Sequence, residues 1–207
     1  MVTIEGDGAA LLAAIRACPE DDLPRLVFAD WLDEHGTPDW AEFIRTQVRA
    51  AAEPDPAVQT ALTRHANALA RDGRHWDPAF GPGLPPHSFR RGMPERLRVH
   101  GEPTPTDRAV LGRYPVRDLW LMGTALDHPN RDAHRGWLPA LVAELPGGPV
   151  RELAVAGYAV GDEDLAAVAG VAQLEGLTLW CRHLRPGVLV HLRRLAALRH
   201  LSLVGGG

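Results

Sequence analysis

Apolar residues between Gly8 and Gly73 recur at intervals of three and four, whereas beyond Pro94 they alternate at intervals of two. The first pattern predicts four helices. Ala10, Leu11, Ala14 and Ile15 form the first stripe, which Pro19 ends. Asp22 is placed to cap a second helix with Pro24 in its first turn, and Leu26, Val27, Ala29, Trp31 and Leu32 supply its apolar surface as far as the His35-Gly36 stop. Asp39 opens a third helix carrying Trp40, Phe43, Ile44 and Val48, and Val58, Leu62, Ala66 and Leu69 mark a fourth ending near Gly73. Leu26, Trp31, Phe43 and Ile44 are the expected core of this helical module, residues 1–73.

The stretch HWDPAFGPGLPPHSFRRG follows, from His75 to Gly92. It holds Trp76, Phe80, Leu84 and Phe89, too many apolar groups for a solvated linker, so residues 74–93 are expected to be a packed joint. From 94 to 207 the chain repeats itself. VRELAV at Val150, LEGLTL at Leu174 and LRHLSL at Leu198 share the spacing L-x-x-L-x-L and recur every 24 residues. VRDLWL at Val116 and PERLRV at Pro94 fit the same frame, with an insertion around Asp127 to Arg135 accounting for the longest interval. Such periods fall in the leucine-rich-repeat range. Each alternating segment predicts a short strand, and stretches such as DEDLAAVAG and PGVLVHLRRLAAL predict helical returns, giving an α/β chain that ends in a short solenoid with a parallel sheet. Where a common repeat places Asn to bind loop backbone, this chain has Glu102, Thr124, Tyr158, Arg182 and Gly206. The loops must therefore satisfy their backbone groups in another way.

The N-terminal run LLAAIRACPEDDLPRLVFADWLDEHGTPDWAEFIRTQVRAA resembles the repeat-companion domain found at the front of leucine-rich-repeat proteins of planctomycetes and myxobacteria. The residues that carry the likeness are Pro24-Arg25-Leu26-Val27, Ala29-Asp30-Trp31-Leu32, Gly36 and Ala41-Glu42-Phe43-Ile44-Arg45. FRRGMPERLRV is similar to that family's passage into its repeats, while Pro38-Asp39-Trp40 departs from the tighter pattern. The resemblance implies an architecture and no catalytic residues.

Composition narrows the chemistry. With 22 basic and 26 acidic residues the net charge is −4, so no global basic field draws the chain to nucleic acid or to an anionic membrane. All the basic residues are Arg, which removes Schiff-base and phosphate-loop lysines. The 2 cysteines, Cys18 and Cys181, form no disulfide framework, and the expected compartment is the reducing cytoplasm. Apolar runs fall short of a membrane span.

Candidate sites are few. Asp21, Asp22, Asp30, Asp33 and Glu34 invite a metal or acid/base role, but capping and ion pairing account for them more simply. Cys181 and His183, with His191 and His200 further on, lack the convergent set a zinc ion needs. Ser88 and Ser202 have no nucleophile setting, and Pro146 to Pro149 is a turn rather than a phosphate loop. No metal, cofactor or catalytic group is expected.

Strand alternation is more informative. With Leu153 and Val155 inward, Glu152, Ala154 and Ala156 face outward, as do Arg96, Arg98, His100, Asp118, Trp120, Met122, Thr178, Trp180, His200 and Ser202. Tryptophan, methionine and arginine on such a face mark a partner surface unless the protein covers them itself. Arg96, Arg98, Trp120, Met122, Trp180 and His200 are accordingly the expected contacts of a non-enzymatic module that binds a protein or peptide. The unfinished frame at Leu198 to Gly207 suggests that the C-terminal edge is closed by a partner, by a second copy of the chain, or by a domain missing from this sequence. The alternative is a folded substrate modified or processed at its glycine tail.

Overall fold

The computed structural model describes residues 3–72, 76–80, 84–123, 137–145, 147–156, 160–180 and 186–205. The chain forms two compact units, Met1–Arg96 with Pro105–Val116, and Leu97–Thr104 with Arg117–Gly207.

In the first unit, helices α1 (Asp7–Ala17), α2 (Leu23–Glu34), α3 (Pro38–Ala52) and α4 (Pro56–Asp72) pack in sequence order, each against the next. The expected stripe on α1 holds at Ile15, which is buried, and only partly at Leu11, which is half-buried. The helix's buried face is Gly8, Leu12 and Ile15, and Ala10 and Ala14 are exposed. On α2 the core residues are Arg25, Phe28, Ala29 and Leu32. Leu26 and Trp31 are only half-buried, because Phe28 takes the central place and Trp31 stacks on it from outside at 5.6 Å. Phe43 and Ile44 are fully buried, as their spacing predicts. Asp22 occupies the N-cap position, but its carboxylate turns to Arg25 and Arg91, and Asp21 accepts the Leu23 N–H instead.

The Pro/Gly-rich stretch supplies rings to this same core, so the first unit extends past residue 73. Trp76 lies parallel to Trp40 at 5.8 Å, Phe89 meets Phe43 edge-on at 5.3 Å, and Phe80 reaches Tyr114 at 5.2 Å. Such pairs hold a small core through area and ring geometry together. Helix α5 (Pro105–Arg113) leads into Tyr114, whose hydroxyl donates to the buried Asp77 carboxylate; Arg113 donates to the same group at 2.8 Å. Burial, and then Asp77, push the Tyr114 hydroxyl well up, so it stays a donor.

Strands β1 (Phe89–Arg90) and β2 (Met93–Pro94) form a hairpin around Arg91 and Gly92. Both turn residues have positive φ, 48° and 83°, the backbone of the tight turn that best matches strand twist. Gly92 cannot be replaced, since a Cβ there would lie 2.6 Å from the Ile44 backbone. Arg91 is held in its uncommon conformation by its own side chain. Its guanidinium donates to the carbonyls of Pro19 (2.8 Å) and Glu20 (3.0 Å) and to the Glu20 carboxylate (2.9 Å). Arg25, fully buried, donates to the same Pro19 carbonyl at 2.5 Å and to Glu95 at 2.9 Å. Two arginines thus tie the hairpin, the α1–α2 connection and α2 into one buried knot.

The second unit is built on a five-stranded sheet in the order β3 (Arg96–His100), β4 (Asp118–Met122), β5 (Glu152–Ala156), β6 (Gly176–Trp180), β7 (His200–Val204). Neighbours from β4 to β7 are parallel. Paired residues stand 24 apart in sequence from β5 to β6 and from β6 to β7, so the repeated frame is the register itself. Helix α6 (Trp137–Ala143), helix α7 (Asp162–Val168) and a 3-10 helix (Pro186–Arg194) follow β4, β5 and β6, packing side by side. Leu119, Leu121, Leu153, Val155, Leu177 and Leu179 are buried, with Leu141, Leu165 and Leu192 from the helical segments. Leu201 and Leu203 share that frame but are 46% and 43% exposed, contrary to the expected continuous core. β7 is one of the two edge strands, β3 the other.

Backbone hydrogen bonds recur at the strand entrances. At the entrance to each strand one carbonyl accepts two N–H groups from the next: Arg117 from Arg151 and Glu152 (2.8 and 2.9 Å), Arg151 from Glu175 and Gly176 (2.7 and 3.0 Å), Glu175 from Arg199 and His200 (2.7 and 3.0 Å). At the exits Gly101 donates to the Met122 carbonyl and Gly123 to that of Ala156.

Candidate interaction face

The outward side of the sheet carries an aromatic row built from register. Trp120 pairs with Ala154, which pairs with Thr178, while Met122 pairs with Ala156, which pairs with Trp180, and registered neighbours in a sheet share a face. The two tryptophans therefore stand on β4 and β6 with β5 between them, their strands about 9–10 Å apart and the residues themselves offset by two along the register. Their ring centroids are nevertheless only 5.4 Å apart, inclined at 53°. The rings can close because β5 presents nothing larger than a methyl group. Ala154 and Ala156 are 5% and 7% exposed, although alternation turns them to the outer face. Alternation shows direction; it could not show that the tryptophans would roof over the alanines. The signal was the pair of small residues between two large ones in the shared frame.

Arg98 on β3 extends the row, its guanidinium carbon 5.0 Å from the Trp120 ring centre. That is cation–π geometry, in which the positive group lies against the negative ring face. The Trp120 indole N–H donates to Asp118 at 2.6 Å, which fixes the ring from its other end. Arg98, Trp120 and Trp180 thus come together as one surface, both tryptophans half-exposed. Met122 is half-buried at the register position beside Ala156, next to that surface. Arg96 begins β3 half-buried, and His200 lies exposed on β7, away from the rings.

A polar row runs alongside. Asp118, Glu152, Gly176 and His200 are successive register partners on β4 to β7. The Glu152 carboxylate fills the space of the side chain that Gly176 lacks; a Cβ there would lie 1.6 Å from Oε2. Burial, and then the neighbouring Asp118 charge, push the Glu152 carboxyl up, with Glu175 adding to this and His200 and Arg117 opposing it.

The other candidates separate. Asp30 and Asp33 converge on Arg45 at 2.6 and 2.7 Å, a surface ion pair, and raise its pKa through those hydrogen bonds. His191 bonds to Asp162 at 2.9 Å and does not join His200 in a cluster. Among the described residues no three His, Cys, Asp or Glu side chains are arranged to hold a metal ion. No helix of the described residues is long and apolar enough to cross a membrane. Cys181, His183 and the terminal Gly206 and Gly207 lie outside the described residues, as do Thr124, Tyr158, Arg182, Pro146 and the insertion from Asp127 to Arg135. Against models of protein families, characterised proteins and solved structures, the chain gives no significant match.

Proposed function

We propose that this chain is a non-enzymatic interaction module, a helical repeat-companion domain joined to a short leucine-rich-repeat solenoid, whose outward sheet face receives a protein or peptide segment. The solenoid assignment rests on the 24-residue register and on the backbone ladder repeated at the strand entrances. The observation that carries the function is the Trp120–Trp180 roof with Arg98 beside it. Paired indoles offer a rigid ledge of the kind that dominates binding energy at interfaces. The adjoining carboxylates of Asp118 and Glu152 favour a partner with a basic group next to its apolar anchor. Affinity purification from the source cell, repeated with Trp120→Ala and Trp180→Ala, tests the role. Partner recovery should fall with either variant, and unchanged recovery would count against this face.

The β7 edge supports a second role, pairing with a second copy of the chain. Leu201, Leu203 and Val204 are 46%, 43% and 47% exposed on an edge strand that carries no acidic residue or proline. Mass measured across concentration would rise with concentration and revert to the monomer value in Leu203→Glu.

A further inference from the structure

A recess of about 360 Å3 opens between α1 and α5 within the first unit. That volume lies at the lower end of the ~300–1,000 Å3 typical of small-ligand sites. The buried Ile4 and Leu12 and the exposed Ala13 and Gly112 line it, together with the side chains of Arg16 and Arg113. We propose that this recess binds a small organic monocarboxylate with a short aliphatic body. It is independent of the interaction face, which lies on the second unit.

The charges select an anion. Arg113 gives its Nη1 to both oxygens of Asp77, at 2.8 and 3.1 Å, so its charge is balanced inside the unit. Arg16 has no carboxylate partner among the described residues, and its Nη1 donates to the Gly112 carbonyl. The recess therefore carries one positive charge that no carboxylate of the described residues neutralises, beside a second guanidinium. A planar carboxylate matches a guanidinium in shape and charge. The apolar lining then gives the rest of the ligand a place out of water, which inorganic phosphate could not use.

Gly112 points the same way. It lies in the last turn of α5 with no left-handed backbone requirement, and a Cβ there would meet nothing within 4 Å. Alanine is the better helix former at such a position. The open space is thus kept where helix stability favours a side chain.

Octanoate titrated into the full chain, followed by the amide signals of Ala13 and Gly112, tests the site, with octylamine and octanol as controls. Octanoate should saturate with Kd on the order of 0.1–1 mM, as expected of about ten heavy atoms of modest efficiency. Octylamine should leave those signals unmoved. Arg16→Gln should weaken octanoate by about tenfold or more. Gly112→Leu should abolish binding without lowering the unfolding midpoint, and Ala13→Leu fills the same space should that variant fold poorly. The proposal is overturned if octanoate and octylamine bind alike, if octanoate fails to saturate by about 10 mM, or if neither the charge nor the filling variants alter its affinity.

Discussion

The ring of Trp120 on β4 lies 5.4 Å from that of Trp180 on β6, although the whole of β5 runs between their strands. The contact depends on Ala154 and Ala156, which leave room beneath the rings. Ala154→Leu should wedge the indoles apart and weaken the near-ultraviolet circular dichroism of the pair. The cost of overfilling is expected to be about 1–3 kcal/mol. An unchanged spectrum would mean that the rings do not need the gap.

Leu177 stands between Leu153 and Leu201 in one register row, with the neighbouring backbone ladders sharing their carbonyls. A polar residue there should loosen both neighbours, because stacked units stabilise one another through their shared faces. In Leu177→Asn, amide exchange should quicken on β5 and β7 as well as on β6. Faster exchange confined to β6 would contradict the coupling.

The sheet was legible in the sequence because identical frames at a fixed interval become register partners, as Leu153, Leu177 and Leu201 do. The helices were legible in extent but less so in facing. Alanine is indifferent to burial, so the stripe on α1 was right at Ile15 but took in the exposed Ala10 and Ala14 and missed the buried Leu12. Arg25 was hidden for the opposite reason. A fully buried guanidinium breaks the apolar pattern, and only its partners, Glu95 and the Pro19 carbonyl, explain why it is inside. Those partners come from distant parts of the chain, beyond the reach of local periodicity. At the candidate face, alternation found Arg98, Trp120 and Trp180 but not the carboxylate of Glu152 resting over Gly176.

The arginine knot makes a prediction of its own. Burial pushes the Glu95 carboxyl up and the Arg25 guanidinium down, each opposed by the other's charge at 2.9 Å. Glu95→Gln takes from the buried Arg25 its nearest counter-charge, leaving only the partly exposed Asp22 at 3.7 Å, and should cost about 3–5 kcal/mol in urea unfolding. The combined Arg25→Met and Glu95→Leu variant should cost less than the two single replacements added together. Simple additivity would show that the two groups are not coupled.

Glu152 should leave a mark on the pH dependence of stability. Its folded pKa is raised, by burial first and Asp118 second, so the folded chain takes up the proton before the unfolded chain does. The resulting stabilisation is fully present below the ordinary glutamate range and is lost as the pH rises through the folded value. Glu152→Gln should therefore be neutral or slightly stabilising near pH 7, with its advantage over the parent disappearing in acid. A variant that loses stability at neutral pH would contradict the sign.

The central claim is that the Trp120–Trp180 roof is where a partner binds, and the indole N–H signals of the 6 tryptophans report on it directly. A peptide selected from a displayed library against the full chain would be titrated while those signals are followed by NMR, with Trp120→Ala and Trp180→Ala providing their assignment. The account predicts that the Trp120 and Trp180 signals shift and saturate together, while those of the buried Trp40 and Trp76 stay in place. Saturable binding that leaves Trp120 and Trp180 unmoved would contradict it.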